Sequence, residues 1–162
     1  MKAATIHELK EELQKTSAAK LLEINLRLAR FKKENKELLT YLLFEENDES
    51  AYVQGVKAEI DFLFSEIAMD NNLYLIKKSL RKILRHTNKY IRYSGLKTTE
   101  IELLLHFCLQ LKLSTIPIHK SVTLSNLYNM QLHKIKKLLP NFHEDLQHDY
   151  EKQLSKLTTQ NF

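Results

Sequence analysis

The chain has 162 residues, of which 43% are hydrophobic and 28% are charged, and its formal net charge is +5. This balance is ordinary for a globular protein with a hydrophobic core, and two glycines and two prolines are too few for the frequent turns of a sheet protein. The single cysteine, Cys108, excludes an intramolecular disulfide and a multi-cysteine zinc site, and no apolar run is long enough to span a membrane.

The first half of the chain predicts four helical segments. Thr5-x-x-Glu8 is a capping-box signature that opens the first of them. The second and third either form one continuous helix or break at Asn35. A polar cluster precedes the fourth, and Asn47 or Asp48 is its expected N-cap. The first predicted segment ends at about residue 15, and the other three cover residues 18–33, 36–45 and 49–69.

The next predicted helix is the most charged part of the chain. Asp70–Asn72 forms a joint and cap before it, and the helix covers residues 73–93. Gly95 follows at the position where a left-handed residue commonly ends a helix.

Three further features organise the last third of the chain. Thr99-x-x-Glu102 is a second capping box, and it predicts a helix over 100–113 that is apolar nearly all round and therefore central. Asn141-x-x-Glu144 is expected to cap the last helix, which extends to about residue 157 and is followed by a frayed tail. The remaining segments are an irregular connection over 114–120 and a helix over 122–139 that ends at Pro140.

The predicted fold is all-α, with a single domain over residues 1–162. Seven or eight antiparallel helices joined by short loops fit either a multilayer bundle or a short helical-hairpin, solenoid-like stack. No repeat of 30 to 45 residues recurs, and both architectures stay open. The expected core residues are Leu26, Leu42, Phe62, Ile83, Leu104, Leu105 and Phe107.

The charge distribution along the chain is strongly asymmetric. Residues 44–70 carry eight acidic side chains and one basic side chain, whereas residues 71–99 carry eight basic side chains and no acidic one. At about 100° per residue, the helix over 73–93 separates a basic arc from an apolar arc. Tyr74 falls within the basic arc and Tyr93 lies at its flank. The basic face consists of Lys77, Lys78, Arg81, Lys82, Arg85, Lys89 and Arg92.

Three interpretations of this basic face stay open. It binds nucleic acid or another polyanion, with Tyr74 offering a stacking surface; it binds a protein; or it is a solvated helix face. The apolar arc lacks Trp and Phe, which argues against a membrane-surface helix. The neighbouring acidic segment could also neutralise the basic face through Glu59, Asp61 and Glu66.

The sequence contains no recognisable catalytic or cofactor motif. Glycine-rich phosphate loops and the G-x-S-x-G nucleophile elbow are absent. Carboxylates at helical spacing from histidine occur at Glu144, Asp145 and His148, and again at Glu102-x-x-x-His106, but a solvated polar face is the favoured interpretation. We therefore predict no metal, no cofactor and no enzymatic activity.

The favoured function is a non-catalytic helical interaction or scaffold protein in the cytoplasm, with a protein partner. The alternative is a nucleic-acid-binding accessory protein that uses the helix over 73–93. Free cationic side chains on that helix would favour the alternative, and a groove or exposed apolar patch would favour the interaction protein.

Overall fold

The structure, a computed structural model, describes residues 2–67 and 72–158. Within these residues the protein is all-α, with eight α-helices and no β-strand, as predicted. None of these helices is long and apolar enough to cross a lipid bilayer. The helices are α1 Ile6–Lys15, α2 Ala18–Phe31, α3 Lys33–Thr40, α4 Glu49–Ser65, α5 Leu73–Ser94, α6 Lys97–Leu113, α7 Val122–Leu138 and α8 Glu144–Thr158.

Local sequence signals set most of the helix ends in the first half. The predicted capping box is confirmed, since the Thr5 N–H donates to Glu8 Oε2 at 2.6 Å. The break between α2 and α3 falls at Lys32, where the backbone is extended, rather than at Asn35. Asp48 is the N-cap of α4 and accepts from the Ala51 N–H at 3.0 Å. A π-helical turn, Tyr41–Glu45, follows α3.

The predicted end of the fourth helix needs correction. Its last α-helical residue is Ser65, and the predicted end at Met69 lies outside the described residues. Asp70 and Asn71 of the predicted joint also lie outside them. Asn72 is confirmed as the cap of α5, because its side chain accepts from the Leu75 N–H at 3.1 Å.

The chain divides into two compact units, residues 1–44 and residues 45–162. In the first unit α2 packs against α3, and α1, α2 and α3 contain no buried residue. In the second unit α6 packs against α4, α5, α7 and α8. The central position expected for this apolar helix is therefore confirmed, while the single domain over 1–162 stays a prediction.

The start of α6 differs from the predicted capping box. Gly95 adopts the left-handed conformation (φ 69°) and ends α5, and α6 begins only two residues later, at Lys97. Thr99 is therefore inside the first turn and buried, where its hydroxyl donates to the Glu49 carboxylate instead of capping the helix. Glu102 reaches α4 rather than the N-cap.

The predicted cap of α8 is also wrong. Asn141 lies in a 3-10 turn, Leu139–Asn141, and its side-chain amide donates to the Leu138 carbonyl at 2.9 Å. It therefore closes the end of α7, where carbonyl groups lack helical partners. Its Oδ1 accepts from Lys97 Nζ at 2.6 Å, which ties this turn to the start of α6.

The core lies around α6, and four of the seven predicted core residues are in it. Ile83, Leu104, Leu105 and Phe107 are buried, whereas Leu26, Leu42 and Phe62 are exposed. Leu26 and Leu42 belong to the first unit, which is too small to bury most of its apolar side chains. Phe62 follows the buried Ile60 by two positions and so projects from the opposite side of α4.

Candidate interaction surfaces

Helix α5 is long because both of its ends are capped and its apolar residues recur at helical spacing. Its buried residues include Ile76, Leu80, Ile83, Thr87 and Ile91, and they form one stripe that faces the rest of the second unit. The Gly95 N–H donates to the Ile91 carbonyl at 2.9 Å and completes the C-terminal cap. The basic residues lie on the opposite side of the helix.

Most of the predicted basic face is open to solvent. Tyr74, at the N-terminal end of this face, is 71% exposed. It lines a shallow groove of about 450 Å³ together with other side chains of α5. Leu84 supplies an apolar patch in the same groove. The groove is lined by Tyr74, Lys77, Lys78, Arg81, Leu84, Arg85 and Asn88.

Three of the predicted basic residues do not line that groove. Lys82 and Arg92 are exposed elsewhere on the helix. Lys89 is half-buried, and its ammonium lies 4.9 Å from the centre of the Tyr90 ring, so a cation–π contact engages it. Tyr93, predicted at the flank of the basic arc, is buried and offers no stacking surface.

Two acidic residues of α4, Glu59 and Asp61, pair with histidines instead of with the basic face. Asp61 Oδ1 lies 2.5 Å from His106 Nε2, and Glu59 Oε1 lies 2.7 Å from His86 Nε2. His86 and Glu59 lie within ion-pair distance, but the geometry of the contact is not that of a hydrogen bond. Sequence reasoning missed both pairs because each joins two different helices.

Most of the basic face is therefore without an ion-pair partner among the described residues of the second unit. Among residues 45–67 and 72–158, no carboxylate forms an ion pair with the side chains of α5 that carry most of its positive charge. Such a concentration of unpaired cations attracts anions. These side chains are Lys77, Lys78, Arg81, Lys82, Arg85 and Arg92.

The first unit has a different kind of surface, since many of its large apolar side chains are exposed. On α1 they recur at i, i+3 and i+7, which places them on one face of the helix. Ile6, at the start of that face, is 82% exposed. Exposed large side chains in this unit are Ile6, Leu9, Leu13, Leu22, Leu26, Leu28, Phe31, Leu42, Leu43 and Phe44.

A second groove, of about 780 Å³, lies between α6 and α8. Its floor includes the buried Leu105 and Leu157, and its wall includes Leu113, which is 69% exposed. Lys112 and Lys156 stand at its rim, where Lys112 Nζ donates to the Lys156 carbonyl at 2.5 Å. The apolar circumference of α6 led us to expect full burial, so this exposed end was not foreseen.

The groups considered for catalysis or metal binding are dispersed. In the described parts of the chain, no three His, Cys, Asp or Glu side chains lie close enough to hold a metal ion. Glu102 pairs with Lys57 at 2.7 Å, and His106 pairs with Asp61. Cys108 is fully buried, and burial raises the pKa of its thiol from 9.0 to about 12. Burial also raises the pKa of Tyr128 and of Tyr150.

No protein-family model, no curated protein and no solved structure matches this chain.

Proposed function

We propose that this chain is a non-catalytic helical interaction protein that binds a partner protein through the apolar helix faces of its first unit. The observation that carries the proposal is the exposure of large apolar side chains there while α1, α2 and α3 bury none. Contiguous apolar surface is characteristic of interaction sites. We include a cytoplasmic location in the proposal, and the unpaired thiol of Cys108 is compatible with it.

The first face to test is the one that Leu22 and Leu26 share, since they lie four positions apart on α2 and both are exposed. Covering a leucine side chain completely contributes about 1.5–3 kcal/mol, so a partner gains substantially from this face. A photo-cross-linking amino acid at position 22, in cells of the source organism, is expected to give one discrete adduct that mass spectrometry identifies.

Two comparisons make that experiment decisive. Leu26→Glu in the same chain is expected to abolish the adduct, because a carboxylate replaces part of the apolar face. The cross-linker at Lys152, an exposed position of α8, is the control for non-specific capture. Equal adducts from positions 22 and 152, or an adduct that Leu26→Glu leaves unchanged, would contradict the proposal.

A second function, binding of nucleic acid through α5, has its own support. Glu59 and Asp61 are engaged by histidines, and Glu66 forms no ion pair with a described side chain, so the three carboxylates expected to neutralise the basic face are not paired with it. Cations spaced along one helix face match the requirement for contact with several phosphates. The exposed Tyr74 lies in the same groove and adds a surface on which a base can stack.

Charge reversal tests this second function. The triple variant Arg81→Glu, Lys82→Glu and Arg85→Glu is expected to weaken binding of a fluorescent oligonucleotide and to reduce the salt-dependence slope by about 2–3. The matched control reverses three exposed lysines of α7, Lys134, Lys136 and Lys137, and changes net charge equally. No binding at low salt, or equal loss in the two triple variants, would exclude the α5 face.

A further inference from the structure

We propose that α5 binds a single strand of nucleic acid lengthwise, with successive phosphates of the strand on one line of cations and a base stacked on Tyr74. The inference rests on the second proposed function, because it names the class of nucleic acid that the α5 face takes and the register in which the strand lies. Duplex nucleic acid and acidic proteins are the competing ligands.

Six residues of α5 lie on one straight line along the helix. After the first of them the others follow at i+4, i+7, i+11, i+14 and i+18, and at about 100° per residue each projects within about 40° of the first. Since α5 is one uninterrupted helix, Leu73–Ser94, this cationic line is about 27 Å long. Its members are Tyr74, Lys78, Arg81, Arg85, Asn88 and Arg92.

The charges of the cationic line are accessible. Lys78, Arg81, Arg85 and Arg92 are exposed, and no carboxylate among residues 45–67 and 72–158 forms an ion pair with any of them. These four cations are therefore available to the phosphates of a strand.

The spacing of these cations suits neighbouring phosphates of one strand. Along the helix axis, Arg81 lies about 4.5 Å beyond Lys78, and Arg85 lies about 6 Å beyond Arg81. One nucleotide of an extended strand covers a similar distance. Asn88 stands in the longer interval before Arg92, and a side-chain amide also contacts phosphate and sugar oxygens. The cationic line can therefore follow a single phosphate backbone.

The groove on this face favours a single strand over a duplex. Tyr74, which is 71% exposed, and the half-buried Leu84 line the groove together with the cations. An aromatic ring and an apolar side chain beside phosphate-binding groups offer contact to the flat faces of bases. In a duplex these faces are stacked inside the helix, so only a single strand can use this part of the groove.

Oligothymidylates of increasing length measure the size of the site. Fluorescence anisotropy on the full chain is expected to show an affinity that rises up to about five nucleotides, which span the cationic line, and then changes little with each added nucleotide. The salt-dependence slope is expected to be about 3, since four phosphate contacts each contribute about 0.7.

A duplex of equal length is the comparison for strandedness. At physiological salt it is expected to bind about tenfold more weakly or worse, because its bases cannot stack on Tyr74. Equal or tighter binding of the duplex, or an affinity that keeps rising steeply well beyond five nucleotides, would overturn the assignment.

Two adjacent residues test the register. Arg81 lies on the cationic line, whereas Lys82, which is also exposed, projects about 100° away from it. Arg81→Gln is expected to weaken strand binding about fivefold at 0.1 M salt and to lower the salt-dependence slope by about 0.7, the contribution of one phosphate contact. Lys82→Gln removes the same charge and is the matched control, with less than half of that effect expected. Thermal unfolding verifies that both variants keep the fold, and equal losses in the two would overturn the register.

Competition separates contact with bases from contact with charge alone. Inorganic polyphosphate and poly-glutamate carry negative charges without bases, so each is expected to displace the labelled strand only at about tenfold higher concentration of charge than an unlabelled oligothymidylate. Tyr74→Ala is expected to reduce this difference, and Tyr74→Phe is expected to retain it. Displacement of equal strength by polyphosphate or by poly-glutamate would overturn the assignment, and the latter would point to an acidic protein as the ligand.

Failure of this inference is distinguishable from failure of the second proposed function. If the duplex binds as well as the single strand while the triple charge reversal on α5 still weakens binding, α5 remains the nucleic-acid face and only the single-strand assignment is lost. If neither form binds at low salt, both are lost.

Discussion

The ammonium of Lys57 on α4 lies 2.7 Å from a carboxylate oxygen of Glu102 on α6. Both side chains are partly shielded from solvent, at 20% and 35% exposure. The pair links two of the helices that build the core. It engages Glu102, the residue that the sequence pattern placed in a capping box.

We predict that Glu102→Gln lowers the free energy of unfolding by about 1 kcal/mol, because it leaves a half-buried ammonium without its charged partner. Urea denaturation monitored by circular dichroism measures this change. Glu100→Gln is the control, since Glu100 lies in the first turn of the same helix and forms no ion pair or hydrogen bond with a described side chain, so its removal reports only the loss of a carboxylate near the helix N-terminus. Equal effects of the two substitutions would show that the Lys57 pair contributes nothing specific.

The two glycines are predicted to respond in opposite directions to alanine. Gly95 has a φ of 69°, which costs an L-residue about 1–2 kcal/mol, so Gly95→Ala should destabilise the protein by about that amount. Gly55 lies inside α4, and a Cβ there meets no atom within 4 Å. Gly55→Ala should therefore stabilise the protein by about 0.5–1 kcal/mol. Thermal unfolding of both variants measures the contrast, and a shift of the same sign in both would contradict it.

The buried thiol of Cys108 predicts a loss of stability at alkaline pH. Its pKa is raised by burial from 9.0 to about 12, so the folded state binds the proton more tightly than the unfolded state does. The contribution of the protonated thiol to the free energy of unfolding is therefore fully present below pH 9 and is lost as the pH rises toward 12. Tyr128 and Tyr150 add to the same loss.

The measurement is the free energy of unfolding under reducing conditions at pH 8 and at pH 10.5, for the natural chain and for Cys108→Ala. The variant is expected to be less stable at both pH values, because it leaves a cavity. Between pH 8 and pH 10.5, the free energy of unfolding of the variant should decrease by less than that of the natural chain. If both chains lose the same amount, Cys108 does not cause the alkaline sensitivity.

Tyr74 is predicted to contribute to binding of single-stranded nucleic acid if α5 is the binding face. Tyr74→Ala should weaken binding of a short single-stranded oligonucleotide by about 1–3 kcal/mol, because a stacking surface is lost. Tyr74→Phe keeps the ring and should bind as the natural chain does. Fluorescence anisotropy at fixed salt measures both, and a similar loss in the two variants would assign the effect to the hydroxyl.

Local signals in the sequence determined the fold class and most helix boundaries. The scarcity of glycine and proline indicated an all-helical chain. The Thr5 and Asn72 caps and the left-handed Gly95 act over one or two turns, so they can be recognised without knowledge of tertiary contacts. The amphipathic pattern of α5 likewise separated its exposed basic side from its buried apolar side, apart from the half-buried Lys89 and the buried Tyr93, because helical periodicity decides which residues share a face.

Only the tertiary structure decided which groups meet across helices. Thr99 and Asn141 satisfy the local capping pattern, yet contacts with Glu49 and Lys97 give them other roles. Burial of Leu104 and exposure of Leu26 depend on how many helices surround each residue, which hydrophobicity does not specify. The pairing of Asp61 with His106, which keeps this carboxylate from the basic face, arises between residues 45 positions apart, where no local rule applies.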